Sequence, residues 1–158
     1  MSKPESITIK NLESAFAGES MAHIKYRYFA KLARAAGDEE TARVFEATAD
    51  QEVQHAFGHL DLLYPKDQLT TARALEIAIE GETYEYTEMY PQFRHLAEQE
   101  GNSAAVKEMD EQIVESKEHA ARFAATLVKA AKRFAALAKV EERHANHYRE
   151  QLVRAKAA

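Results

Sequence analysis

The chain of 158 residues carries 21 Lys and Arg against 26 Asp and Glu, a net charge of −5 that argues against a general nucleic-acid binder, whose footprint would be a basic patch or stripe. It has no cysteine, which removes disulfide frameworks, thiolate zinc sites, cysteine-ligated iron–sulfur centres and cysteine nucleophiles together. With 46% apolar residues, 30% charged ones and only five glycines and three prolines, the composition fits one helical domain over residues 1–158, with long elements and few loops.

The amino-terminal stretch MSKPESITIKNLESAF lacks a basic start followed by an apolar run, so no signal peptide is expected. No apolar stretch approaches the roughly 18–20 residues a membrane span needs, and a soluble cytoplasmic protein is the resulting expectation. Turn chemistry falls at residues 37–38, 64–70 (YPKDQLT) and 101–103. Between these marks apolar residues recur every three to four positions, as amphipathic helices require. The spacing predicts helices over residues 8–36, 39–63 and 71–100. From Ser103 onward there is neither Gly nor Pro, and Val106, Ile113, Phe123, Leu127, Phe134, Tyr148 and Leu152 keep one face apolar. A single helix of that length would extend roughly 80 Å at 1.5 Å per residue, so a hidden bend or an extension beyond the bundle is expected.

An internal repeat organises these helices. AFAGES (residues 15–20) matches AIEGET (78–83) at an offset of 63, whereas YFAKLARAAG (28–37) matches QFRHLAEQEG (92–101) at 64. One residue has therefore been inserted between Glu82 and Phe93, beside Pro91, which is what a π-bulge would produce. In the second helix, ARVFEATADQEVQHA (42–56) matches AKRFAALAKVEERHA (131–145) at offset 89. Comparing 89 with 64 leaves 25 extra residues, read as a helical segment inserted within about 103–130. Two related helical hairpins follow.

Glu52 and His55 are three apart and so share a helix face, and Glu141 and His144 repeat the arrangement. Glu19 lies on the first helix, and Glu82 with Glu85 occupies the corresponding part of the third. Two Glu-x-x-His pairs with at least one Glu on each of two other helices is the di-iron or di-manganese pattern of four-helix bundles. Five crowded carboxylates could not all stay ionised alone, because desolvation and repulsion would raise their pKa values. Two divalent cations contribute +4 against their −5, and oxygen-rich ligands with two imidazoles suit iron or manganese. His23, His59, His95 and His147 have no matching carboxylate and read as structural or exposed.

AFAGES around Glu19, ADQEVQHA around Glu52 and His55, EGETYEYTEMYP around Glu82 and Glu85, and VEERHANHY around Glu141 and His144 resemble rubrerythrin, within the ferritin-like superfamily. The resemblance runs over about residues 11–152, and GETYEYTEMYP is its most specific part. It implies an all-α, ferritin-like four-helix bundle with the inserted segment before the last ligand helix. Two iron ions are implied, manganese being a possible substitute, held by Glu19, Glu52, His55, Glu82, Glu85, Glu141 and His144. Glu52 and Glu141 would bridge the metals. Glu85 is the carboxylate that distinguishes rubrerythrins from the minimal ferritin-like set. Tyr26 and Tyr90, repeat partners at offset 64, match family tyrosines that hydrogen-bond ligand carboxylates; the competing reading is a pair of core aromatics with polar tips.

Two departures qualify the resemblance. Rubrerythrins often carry a rubredoxin-like domain with iron on four cysteines, and this sequence has none. A form without that domain is expected, drawing electrons from a separate donor such as a rubredoxin-like protein. VESKEHAARF also offers a rival fourth-helix set, Glu115, Glu118 and His119. Counted from Gly101, His119 falls where a family histidine usually lies, but the residue three before it is Ser116 rather than Glu, so Glu141 and His144 are preferred. The function implied is a di-iron peroxidase that reduces hydrogen peroxide to water, in a homodimer that is domain-swapped if the long last helix reaches a neighbour. An oxygen-consuming oxidase or ferroxidase, a metal-storage bundle and a helical interaction module are the alternatives.

Overall fold

In a computed structural model of the chain, which describes residues 6–157, two glycine turns set the local architecture. The first five residues of the stretch read above for a signal peptide lie outside the described residues. Gly37 and Gly101 have φ of 82° and 71°, the left-handed region that glycine enters without a Cβ clash. Each closes the helix before it with the same pair of bonds. Asp38 N–H reaches the Ala33 carbonyl at 2.9 Å and Gly37 N–H the Arg34 carbonyl at 3.0 Å. In the second copy Asn102 N–H reaches Ala97 at 2.9 Å and Gly101 N–H reaches Glu98 at 3.1 Å. The residue after each glycine caps the next helix: Asp38 Oδ1 accepts from Thr41 N–H at 3.0 Å, and Asn102 Oδ1 accepts from Ala105 N–H at 3.1 Å. All these groups correspond at offset 64, so the repeat persists in backbone geometry through the turn.

The elements are helical throughout the described residues: α1 Ile7–Ala35, α2 Glu39–Leu63, α3 Thr71–Tyr84, a π turn Glu85–Met89, α4 Tyr90–Gln99 and α5 Ser103–Ala157. No helix is long and apolar enough to cross a membrane among the described residues. The π turn falls where the repeat offset changes from 63 to 64: Tyr90 N–H bonds the Glu85 carbonyl five residues back. Pro91 has no N–H to continue the ordinary ladder, and Thr87 Oγ1 donates to the Thr83 carbonyl at 2.7 Å. The final segment is one uninterrupted helix of 55 residues, without the bend that was one of the two expectations for it.

The helices form two compact units, one of α1 with α2 and one of α3, the π turn and α4 with α5. The α1–α2 seam is made of alanine. Ala30, Ala42, Ala49 and Ala56 are buried, the last three spaced by seven as a coiled-coil seam requires. Small side chains let the helix axes approach closely, so backbone groups come within reach: His23 Nδ1 lies 2.7 Å from the Ala49 carbonyl. In the second unit Ala97, Ser116 and Ala120 are buried, and Arg94 pairs with Asp110 at 2.6 Å and with Glu98 at 3.2 Å. The later part of α5 exposes Phe134, Leu137, Tyr148 and Leu152.

Outside the alanine seam the first hairpin is clamped by charge. Arg34 bonds Glu39 at 3.0 Å and Glu46 at 2.9 Å, and its hydrogen bonds hold both carboxyls below their ordinary range. The Thr41 amide does the same for Asp38. A carboxylate depressed by folding adds stability above its unfolded pKa and loses it as pH falls through the folded value. The first hairpin should therefore weaken as pH drops below the ordinary Glu value of 4.5. Thermal melts between pH 7 and pH 3 should show this acid loss, and Arg34→Met should flatten it. High salt should shrink the effect, because these groups are exposed.

Candidate metal centre

On the first hairpin, Glu19 from α1 and Glu52 and His55 from α2 bring one ligand atom each within 4.8 Å of one another, the one such group of three among the described residues. Helical spacing puts Glu52 and His55 on one face, and the close alanine seam brings Glu19 to them. The Glu52 side chain is only 15% exposed, while the His55 imidazole remains 59% exposed. His55 Nδ1 lies 2.9 Å from Glu52 Oε2. Two ligands at right angles on one ion, each roughly 2.1 Å away, are about 3 Å apart, so this pair already has the edge length of a coordination shell. Tyr26 stacks on Phe45 with ring centroids 6.0 Å apart.

On the second hairpin, Glu82 from α3 and Glu85 from the π turn face Ser116 and His119 of α5. Ser116 Oγ donates to Glu85 Oε2 at 2.9 Å, and His119 Nδ1 lies 3.4 Å from Glu82 Oε1. Glu82 Oε2 is buried with no hydrogen-bond partner. An orphaned carboxylate oxygen is costly unless something positive meets it, so the donor set fits a cation. Burial raises the Tyr90 pKa, with further contributions from the Glu85, Glu82 and Glu108 charges, and the phenol keeps its proton beside these carboxylates.

The structure departs from the sequence expectation at the fourth helix. Glu141 and His144 stand 4.0 Å apart with side chains 78% and 62% exposed, and they do not meet Glu82 or Glu85. The reason is the straightness of α5: Glu141 is 25 residues beyond Ser116 in one unbroken helix, roughly 38 Å along its axis. Of the rival set, His119 turns to Glu82, while Glu115 and Glu118 are exposed. Ser116 and His119 are the offset-64 partners of Glu52 and His55. The register that runs through the glycine turn thus continues into α5 as far as Ser116 and His119.

The rubrerythrin family profile matches residues 10–127, a span that includes Ser116 and His119 and ends before Glu141. The chain belongs to the rubrerythrin family. It is 38% identical over 130 residues to nigerythrin of Nitratidesulfovibrio vulgaris, covering 75% of this chain and 64% of that one. It is 36% identical over 129 residues to rubrerythrin of the same organism, covering 75% and 68%. A putative rubrerythrin of Methanocaldococcus jannaschii is 35% identical over 136 residues, with 73% and 67% covered. The chain therefore spans about two thirds of the length of these relatives. Among solved structures, fully reduced, all-ferrous nigerythrin aligns with 35% identity and a TM-score of 0.40, over 82% of this chain and 70% of that one.

Two carboxylates within 4.8 Å repel by about 3 kcal/mol at the effective dielectric of a protein surface. Glu52→Gln in this rubrerythrin-family chain should therefore have opposite effects in two states. It should raise the melting temperature of metal-free protein, where it relieves repulsion. It should lower that of metal-loaded protein, where it removes a ligand. Paired melts with and without added Mn(II) check the change of sign.

Proposed function

We propose that this chain is a di-iron oxidoreductase of the rubrerythrin type that reduces hydrogen peroxide to water. The observation that carries the reading is the Glu19, Glu52 and His55 group on the first hairpin, with its Glu-and-His counterpart Glu82, Glu85 and His119 on the second. Each hairpin would hold one metal ion through two carboxylates and one imidazole. Iron fits the oxygen-rich donors, and manganese would fit the same set. The four carboxylates carry −4, which two divalent ions neutralise and two trivalent ions overbalance by +2. The metal pair would supply the two electrons that, with two protons, convert one peroxide into two waters.

The side chains position and protonate. Glu52 and His55 share an α2 face against α1, so their geometry is fixed by the seam and not by a mobile loop. Tyr90 keeps its phenol proton near Glu85 and offers an O–H donor where oxygen atoms of a bound oxidant would need one. The sequence carries no cysteine and hence no thiolate-held iron of its own, so we place the electron source on a cysteine-ligated iron protein or domain outside these 158 residues. The homodimer remains a proposal, domain-swapped if the later part of α5, which exposes Phe134, Leu137, Tyr148 and Leu152, packs on a neighbour.

Anaerobic stopped-flow on the iron-loaded, reduced chain tests the reaction. One peroxide should oxidise two ferrous ions, and peroxide should outpace an equal concentration of oxygen. Faster oxidation by oxygen would instead assign the chain to the oxidase or ferroxidase reading. Bound iron that turns over with neither would assign it to storage.

A further inference from the structure

Ser116 is 3% exposed, the one buried polar residue among the described residues. Its position on α5 corresponds at offset 64 to Glu52 on α2, so a hydroxyl stands where the repeat would place a carboxylate. Glu85 shows the complementary irregularity. It sits at the first residue of the π turn, within the stretch where the extra residue enters, and the first hairpin has no glutamate at the corresponding position. The two positions are in contact: Ser116 Oγ donates to Glu85 Oε2 at 2.9 Å.

We infer that Ser116 is a positioning residue whose hydroxyl orients Glu85, so that metal affinity at the second hairpin depends on it. The inference rests on the metal-binding reading above. A buried donor bonded to one oxygen of a carboxylate removes the rotamer freedom of that side chain and leaves the other oxygen to meet a cation. Burial makes the bond effective, since little water reaches the hydroxyl to compete for it. The first hairpin needs no such device, because Glu52 is itself the α2 carboxylate and its ligand atom already lies within 4.8 Å of those of Glu19 and His55.

The test is a calorimetric titration of the full chain with Co(II), read in parallel by the visible absorption of the bound ion, for wild type, Ser116→Ala and Ser116→Thr. Circular dichroism confirms unchanged helicity in each. Wild type should bind two equivalents. Ser116→Ala should keep one within about twofold and weaken the other by about 10- to 100-fold, the usual cost of losing a group that orients a ligand, with a changed absorption for that ion alone. Ser116→Thr, which keeps the hydroxyl, should recover most of the loss. Two unaltered equivalents in Ser116→Ala, or equal weakening of both, would overturn the role of Ser116 and leave the metal reading standing. A wild-type chain that takes up no Co(II) would overturn the metal reading and this inference with it.

Discussion

Like charges held close together on half-buried helix faces are the constraint on which the other features depend. Glu52 is mostly buried beside Glu19, and Glu82 Oε2 is buried with no partner. Neither arrangement contributes to the stability of a metal-free hairpin; each costs repulsion or desolvation. The seam accounts for how the groups are nonetheless held in place. Alanines at heptad spacing bring α1 and α2 close, and the Asp38 and Arg34 bonds fix the turn between them. The carboxylates are thus placed by packing that does not depend on them, and a cation is what would make their arrangement favourable.

Much of this was legible in the sequence because it depends on local rules. Helix ends follow from glycine turns and caps, and the observed bounds fall within a residue or two of those predicted for α1 and α2. A change of repeat offset beside Pro91 located the π turn, since one inserted residue in a helix has few other forms. The Glu19, Glu52 and His55 group followed from residue types on matched faces. The fourth helix was less legible for a physical reason. Glu141 lies 25 residues beyond Ser116, about seven turns, so the two share a helical face and periodicity cannot tell them apart. Residue identity favoured Glu141 and His144. Position along the axis, which requires following the register through the Gly101 turn, brings Ser116 and His119 to Glu85 and Glu82.

The acidic composition acquires a narrower meaning in this account. Four of the 26 acidic residues face the two candidate metal positions, and their −4 matches two divalent ions. With serine at position 116, four carboxylates and not five face these positions. Glu85 of the π turn and Ser116 of α5 are joined by a single hydrogen bond.

A crystal structure of the iron-loaded chain with anomalous data at the iron edge tests the central claim most directly. Two iron peaks per chain are expected, one against Glu19, Glu52 and His55 and one against Glu82, Glu85 and His119, with Ser116 still bonded to Glu85. A peak ligated by Glu141 and His144, or no iron at either predicted group, would contradict it.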